Sequence, residues 1–288
     1  MLTFAFTIVR PMKLPITIGL LVVLLAACNR NGEAEAERFL EKARQAHEQG
    51  LFLESKQWID SVHLRCPKAY EARKAAQDLE LRAELGVQQL RTDSLETLLR
   101  ASQAKLESIR HRYVWEKDTA YQSAGRYLWP SQTVERNVGR SFLRFQCNEV
   151  GRMSLTSIYC GAANIEHLAA EVRTLSGQSA CTQSANSSYL TTINAMVMEQ
   201  ADYPLEQDGG VVELLLQTSG VGVMLHLVGG KRPYSTPLRA DDVQAAKAIY
   251  ELSRVLTAID RIKQAQEEAH LKMEFIRRKM ERNAQATL

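Results

Sequence analysis

No apolar run in this sequence is long enough to cross a membrane comfortably. The longest, Ile16 to Ala27, is broken only by Thr17 and Gly19 and is close to half of the about 20 residues a spanning helix needs. Excess charge of one sign is missing as well. The 36 Lys and Arg against 33 Asp and Glu leave a formal net charge of +3, without the clustered basic footprint of a nucleic-acid binder. The chain has no nucleophile elbow, no HExxH, no paired CxxC and no phosphate-cradling glycine loop. These absences remove the readable routes to hydrolase, metal and nucleotide chemistry, so no catalytic residue, cofactor or metal ligand is expected.

The apolar run is instead informative by its flanks. Arg10 and Lys13 precede it, small residues end it, and a polar stretch follows, which is the layout of a secretory signal. Its last residues, Leu25-Ala26-Ala27-Cys28, resemble the lipobox of bacterial lipoprotein precursors, in which the cysteine thiol is lipidated and the chain is cut just before it. The resemblance implies a signal peptide over residues 1–27, with Met12 as an alternative start, and a mature chain lipidated at Cys28. Several acyl chains would hold it to the membrane, since each buried methylene adds about 0.8 kcal/mol. Cleavage removes Arg10 and Lys13 and no acid, so the formal charge of +3 falls to +1. Asn29, not Asp, follows the cysteine, and the acids of "NRNGEAEAE" are spaced. By analogy this implies the outer membrane and its periplasmic face.

Behind the anchor, composition divides the chain into three. From Glu33 to about Asp118 it is rich in Ala, Leu, Glu, Arg and Gln with almost no Gly or Pro, as continuous helix requires. Most Gly and Pro fall between about Thr119 and Leu238, with short Val, Leu and Thr runs that read as strands. From Arg239 the texture is helical again.

Phe39, Ala43, Ala46, Gly50, Phe52, Ser55, Ile59, Val62 and Pro67 fall at tetratricopeptide-repeat spacings, with Ser55 where Ala is usual. Solenoids need about three such units to be stable. One unit is expected to be a helical hairpin packed on its neighbours, with a peptide groove as the alternative. After Pro67 apolar residues recur on a three-four spacing to about Lys117, including Leu79, Leu90, Leu98 and Ile109. Val243, Ile249, Leu256, Met273 and Ile276 do the same after a helix start at Asp241 or Asp242. Each stripe needs a cover. The two helices are expected to pair antiparallel within one chain, Leu79 near Ile276, Leu98 near Leu256 and Ile109 near Ala246. The alternative is oligomerisation through separate coiled coils.

In the middle segment, "RSFLRFQCNEVGRMSLTSIYC" reads as a hairpin with Glu149-Val150-Gly151 as the loop, Phe145 facing Leu155 and Cys147 facing Met153. A second hairpin is expected around Ser219-Gly220, with Val212, Leu214 and Leu216 opposite Leu227, Leu225 and Val223. Gly229-Gly230 turns the chain into "KRPYSTPL", an edge strand because of its prolines.

The expected fold is thus α+β: a signal (1–27), an anchor with a tetratricopeptide-like helical hairpin (28–67), and a long antiparallel helical stalk from N- and C-terminal helices (68–118 and 239–285). An inserted, mostly antiparallel β domain (119–238) sits between them. "MSLTSIYCG" and the closing helix ending near "IRRKM" give a layout that resembles a group of uncharacterised lipoproteins of Bacteroidales. That resemblance implies an envelope location and no particular activity. The expected role is a non-enzymatic binding or scaffolding module with the membrane, through its lipid, and an envelope protein as partners. A hydrolase-like enzyme with a site in the β domain is the alternative. Its best candidates are a Cys160–His167 nucleophile pair and His167 with Glu171 as metal ligands if that segment were helical. Of the four cysteines left after lipidation, Cys160 and Cys181 are the candidate intra-domain disulfide pair, with unpaired thiols at Cys66, Cys147, Cys160 and Cys181 as the alternative.

Overall fold

The computed structural model describes residues 15–117, 125–193, 195–219 and 221–286, of which 15–31 and Ile193 as backbone only. The alternative start at Met12 and the side chains of the lipobox, Cys28 included, lie outside the described residues. Among the described residues no helix is long and apolar enough to cross a membrane. The fold is α+β. Helices α1 (Pro15–Glu48), α2 (Phe52–Arg65) and α3 (Tyr70–Arg110) come first, and α4 (Val211–Gln217) and α5 (Ala240–Ala286) last. Between them lie β1 (Val114–Glu116), β2 (Arg126–Leu128), β3 (Phe142–Asn148), β4 (Met153–Gly161), β5 (Ala169–Arg173), β6 (Ser179–Cys181), β7 (Tyr189–Ile193) and β8 (Met196–Pro204). Strands β9 (Met224–Val228) and β10 (Tyr234–Pro237) follow α4. They form an antiparallel six-stranded sheet, β1-β2-β3-β4-β8-β7, and an antiparallel four-stranded sheet, β10-β9-β5-β6. The chain divides into two compact units, residues 1–94 with 266–288, and residues 95–265, so each unit takes part of α3 and part of α5.

In the first unit the expected helical hairpin is present. Gly50 turns the chain at a φ of 75°, a left-handed value that suits a residue without Cβ, and Leu51 N–H donates back to Ala46. Small residues let the helices approach: Ala36, Leu40 and Ala43 of α1 pack with Ile59 and Val62 of α2 and with Ala72, Ala76 and Ala83 of α3. Ser55 is buried and donates to the Ala43 carbonyl at 2.8 Å, which satisfies a hydroxyl at a position where repeats use Ala. Glu84 of α3 accepts from Lys56 of α2, from Lys272 of α5 at 2.5 Å and from Gln88 at 2.9 Å. Burial alone would raise its carboxyl, but these donors outweigh it and hold the group at about 2. Arg91 lies 3.9 Å from Glu268. The end of α5, with Ala269, Met273 and Ile276 buried, therefore runs antiparallel to α3 near the expected register.

In the second unit three expectations are corrected. The helix that was to continue to Lys117 stops at Arg110, and β1 begins at Val114. Leu98, expected in the helix seam near Leu256, is 55% exposed; the inward face of α3 here runs through Leu95, Leu99, Leu106 and Ile109. The expected hairpin around Ser219-Gly220 is not formed, because Val211–Gln217 is helix α4. Val211, Val212, Leu214 and Leu215 are buried, a helical spacing that alternation across 212, 214 and 216 concealed. Asp208 starts that helix by accepting from Val212 N–H at 2.9 Å.

The β3–β4 hairpin has the expected register, Phe145 opposite Leu155 and Cys147 opposite Met153. Among the described residues strand β10 is an edge, paired with β9 alone. One face of the large sheet supplies Leu143, Phe145, Leu155 and Tyr203 to a core shared with Val172, Leu225 and Leu227 of the small sheet and with Ile249 and Leu252 of α5. Helix α5 opens with Asp242, whose carboxylate accepts from Arg239 N–H at 3.1 Å, a carboxylate three residues in that reaches back to the start of the helix.

Candidate functional site

Two polar features lie on opposite faces of the six-stranded sheet. Side chains alternate along β4, so odd-numbered residues face the core and even-numbered ones the other side.

On the core face, Ser157 of β4 and Glu199 of β8 interrupt otherwise apolar rows. His167, just before β5, lies between them. Its Nε2 is 2.7 Å from Ser157 Oγ, and its Nδ1 is 3.1 Å from Glu199 Oε2. This is the connectivity of a serine–histidine–carboxylate triad. All three residues have zero exposure, however. Glu199 also accepts from the backbone N–H groups of Ile165, of Glu166 at 3.0 Å and of His167 at 3.2 Å, where Glu166 takes a left-handed φ of 54°. Tyr203 donates to the Leu168 carbonyl at 3.0 Å, with its hydroxyl 3.2 Å from Ser157 Oγ. Burial lowers the His167 pKa, although Glu199 opposes the shift. The ring is therefore neutral with one proton, which sits on Nδ1 facing the acceptor-only carboxylate, and Nε2 accepts from the serine hydroxyl.

A pH dependence follows. The unfolded chain binds a proton at His167 near its ordinary value of 6.5, while the folded chain resists protonation to lower pH. Stability from this group is thus present above about pH 6.5 and is lost as pH falls below it, by about 1.4 kcal/mol per pH unit until the lowered folded value is reached. Urea midpoints between pH 5 and 7.5 should fall on the acid side for the native chain and flatten in His167→Gln. Equal slopes in both chains would contradict the assignment.

On the opposite face a cavity of about 210 Å³ lies between β3, β4 and β8 and the loop of residues 130–140. The loop is fixed at three points. The Gln132 amide donates to Leu143 O at 2.7 Å and accepts from Phe145 N–H at 2.6 Å, which extends the ladder of β3 beyond the end of β2. Asn137 donates to Ser131 O and Thr133 O at 2.9 and 2.8 Å. Arg140 makes a two-point ion pair with Asp242 of α5, at 3.0 and 2.6 Å. Phe142, Ile158, Met196 and Met198 give the cavity an apolar wall. Arg144 also lines it, is only 8% exposed, and among the described residues makes no hydrogen bond or ion pair; its Nε has no partner there. Burial foremost, then the charge of Arg126, pulls its proton affinity down, while Asp202 and Glu116 support it. Asp202 itself accepts from Thr156.

The residues expected from sequence are separated by this arrangement. Cys160 faces the cavity and His167 the core, so they form no nucleophile pair. Glu171 is on strand β5, not a helix, and takes two bonds from Arg173 at 2.8 and 2.9 Å. Cys160 is in the large sheet and Cys181 in the small one. All four described cysteines carry free thiols, so the structure holds that pair apart and not as the bridge expected above. Ser157, Glu199 and Arg144 were not singled out by sequence. The signal for the first two was a polar residue within an inward-facing apolar row. No protein-family profile, curated protein or solved structure matches this chain.

Proposed function

We propose that this chain is a lipid-anchored protein of the cell envelope, on the periplasmic face of the outer membrane, whose β region is a non-enzymatic binding module. The anchor rests on the run into Leu25-Ala26-Ala27-Cys28. The observation that carries the binding role is the cavity with the unpartnered Arg144: an unpaired buried charge costs several kcal/mol unless something completes it. Mass spectrometry of the chain from native envelopes tests the anchor. A mature N-terminus at Cys28 carrying acyl mass is expected; another N-terminus, or no acyl mass, contradicts it.

A hydrolase is the second reading, favoured by the Ser157–His167–Glu199 geometry. Two facts weigh against it. The nucleophile is sealed in the core, and the carboxylate is already used to hold the turn at Glu166. A fluorophosphonate probe should leave Ser157 unlabelled in native envelopes; labelling that disappears in Ser157→Ala would establish the hydrolase.

A further inference from the structure

Arg144 has no role in the folded chain that its surroundings explain. The neighbouring arginine is already neutralised: Arg140 is paired with Asp242 and stacks over the Phe142 ring at 4.4 Å. Arg144 therefore brings a guanidinium that has no hydrogen-bond or ion-pair partner among the described residues, and that Asp202 and Glu116 support only through longer-range attraction, to the wall of a cavity that is otherwise mainly apolar. The nearest acid across the sheet, Asp202, is bonded to Thr156 and forms no ion pair with it. Gln200, on the same wall, donates to the sulfur of Met198 at 3.8 Å.

Resting on the binding role proposed above, we infer that this cavity takes a small monocarboxylate with an unbranched apolar tail, its head on Arg144 and its tail among Phe142, Ile158, Met196 and Met198. One unpaired guanidinium matches one negative charge, so a dianionic phosphate would leave charge uncompensated in an apolar site. A planar fork of N–H donors fits a planar carboxylate at two points. Methionines adapt their shape to a flexible chain. The volume of about 210 Å³ holds on the order of seven water-sized groups, at about 30 Å³ each, which matches the roughly seven-carbon tail of an eight-carbon acid whose carboxylate lies on Arg144, and not a full-length membrane acyl chain.

Cys160 supplies the measurement, because its free thiol lines the same cavity while Cys181 is exposed elsewhere on β6. The full chain, in isolated envelopes, is alkylated with iodoacetamide with and without sodium octanoate, and the Cys160 rate is read against Cys181 by mass spectrometry. Octanoate should slow Cys160 alone. Octanamide and inorganic phosphate should not. Arg144→Gln should raise the octanoate concentration needed by about tenfold or more, the equivalent of one charged hydrogen bond. Continued protection of Cys66 and Cys147, both buried, shows that the variant is folded. Should Arg144→Gln expose them, Met198→Trp fills the cavity with Arg144 intact, and the Cys160 rate should then cease to depend on octanoate. No slowing by octanoate, equal slowing by octanamide, or unchanged slowing in either folded variant would overturn the inference. Labelling of Ser157 by the fluorophosphonate would instead overturn the non-enzymatic reading and leave the Cys160 result standing, so the two fail separately.

Discussion

Glu199→Ala should destabilise the β region by about 3–6 kcal/mol, because two buried backbone N–H groups and one partly buried lose their acceptor, at about 1–3 kcal/mol for each buried one. These are the amides of Ile165, Glu166 and His167, and the same truncation removes the partner of His167 Nδ1. Water cannot replace the lost oxygens at a site of zero exposure without opening the core. Amide hydrogen exchange of β4 and β8, followed by mass spectrometry on the full chain, should accelerate sharply. Glu199→Gln keeps one acceptor oxygen and should lose roughly half as much. A loss below about 1 kcal/mol in Glu199→Ala would show that the turn at Glu166 is held by other means. Ser157→Ala should by contrast cost only about 1 kcal/mol, since it removes one donor and leaves a single ring nitrogen unpaired.

Gly151→Val should be comparably severe, by about 3–5 kcal/mol, and for an unrelated reason. Gly151 closes the β3–β4 hairpin at a φ of 82°, which L side chains rarely adopt. A Cβ built there would meet Thr257 N at 2.5 Å and Ser253 O at 2.6 Å, both in the backbone of α5. Helix backbone cannot step aside as a side chain can, so overpacking adds to the conformational cost. The hydroxyls of Ser253 and Thr257 donate to Gly151 O at 2.6 and 3.2 Å, and those bonds go as well. The thermal transition of the full chain should drop by roughly 10 °C, at about 2–4 °C per kcal/mol for a region of this size. Gly177→Val is the control: Gly177 has a similar φ of 85° but open space around its Cβ position, so it should pay only the conformational part. Equal losses in the two variants would mean that the contact with α5 is not what penalises the side chain.

The same two sites show why sequence reading succeeded in some places and failed in others. The β3–β4 hairpin was legible because alternation fixes the partner of every residue once the loop is chosen; a slip of one at Gly151 would have turned Phe145 and Leu155 outward. Helix α4 was misread because seven residues are too few for a period to declare itself, and Val212, Leu214 and Leu216 satisfy alternation by accident. The better clue lay outside the run, in Asp208 ahead of two glycines. In α3, Leu98 looked like seam because it is apolar at the right spacing, but Leu95 and Leu99 lie one turn apart on the face that is used.

The candidate sites were legible in unequal measure. Ser157 and Glu199 break inward rows that are otherwise Met, Leu, Ala and Tyr, and that pattern is visible once the strands are aligned. His167 stands out in the sequence beside the wrong partners, since Cys160 and Glu171 are near it in the chain while Glu199 is 32 residues away. Arg144 could not be found this way. An arginine on the outward row of a strand is ordinarily solvated. It is buried here only because the loop of residues 130–140 folds back across the sheet, held by Gln132 and by an ion pair to Asp242, 102 residues from Arg140.

The first compact unit is made of residues 1–94 together with 266–288, and Lys272 completes the set of donors on Glu84. A ribosome therefore releases the beginning of that unit long before its end. While about 170 residues of intervening chain are made, the α1–α2–α3 region waits with Glu84 short of its Lys272 donor, and the entropy of closing so long a loop falls on the last step. Until residues 266–288 are made, the early part of the unit must remain soluble, or in the care of a chaperone. Loss of those residues would thus be felt at Glu84 in α3, far earlier in the chain.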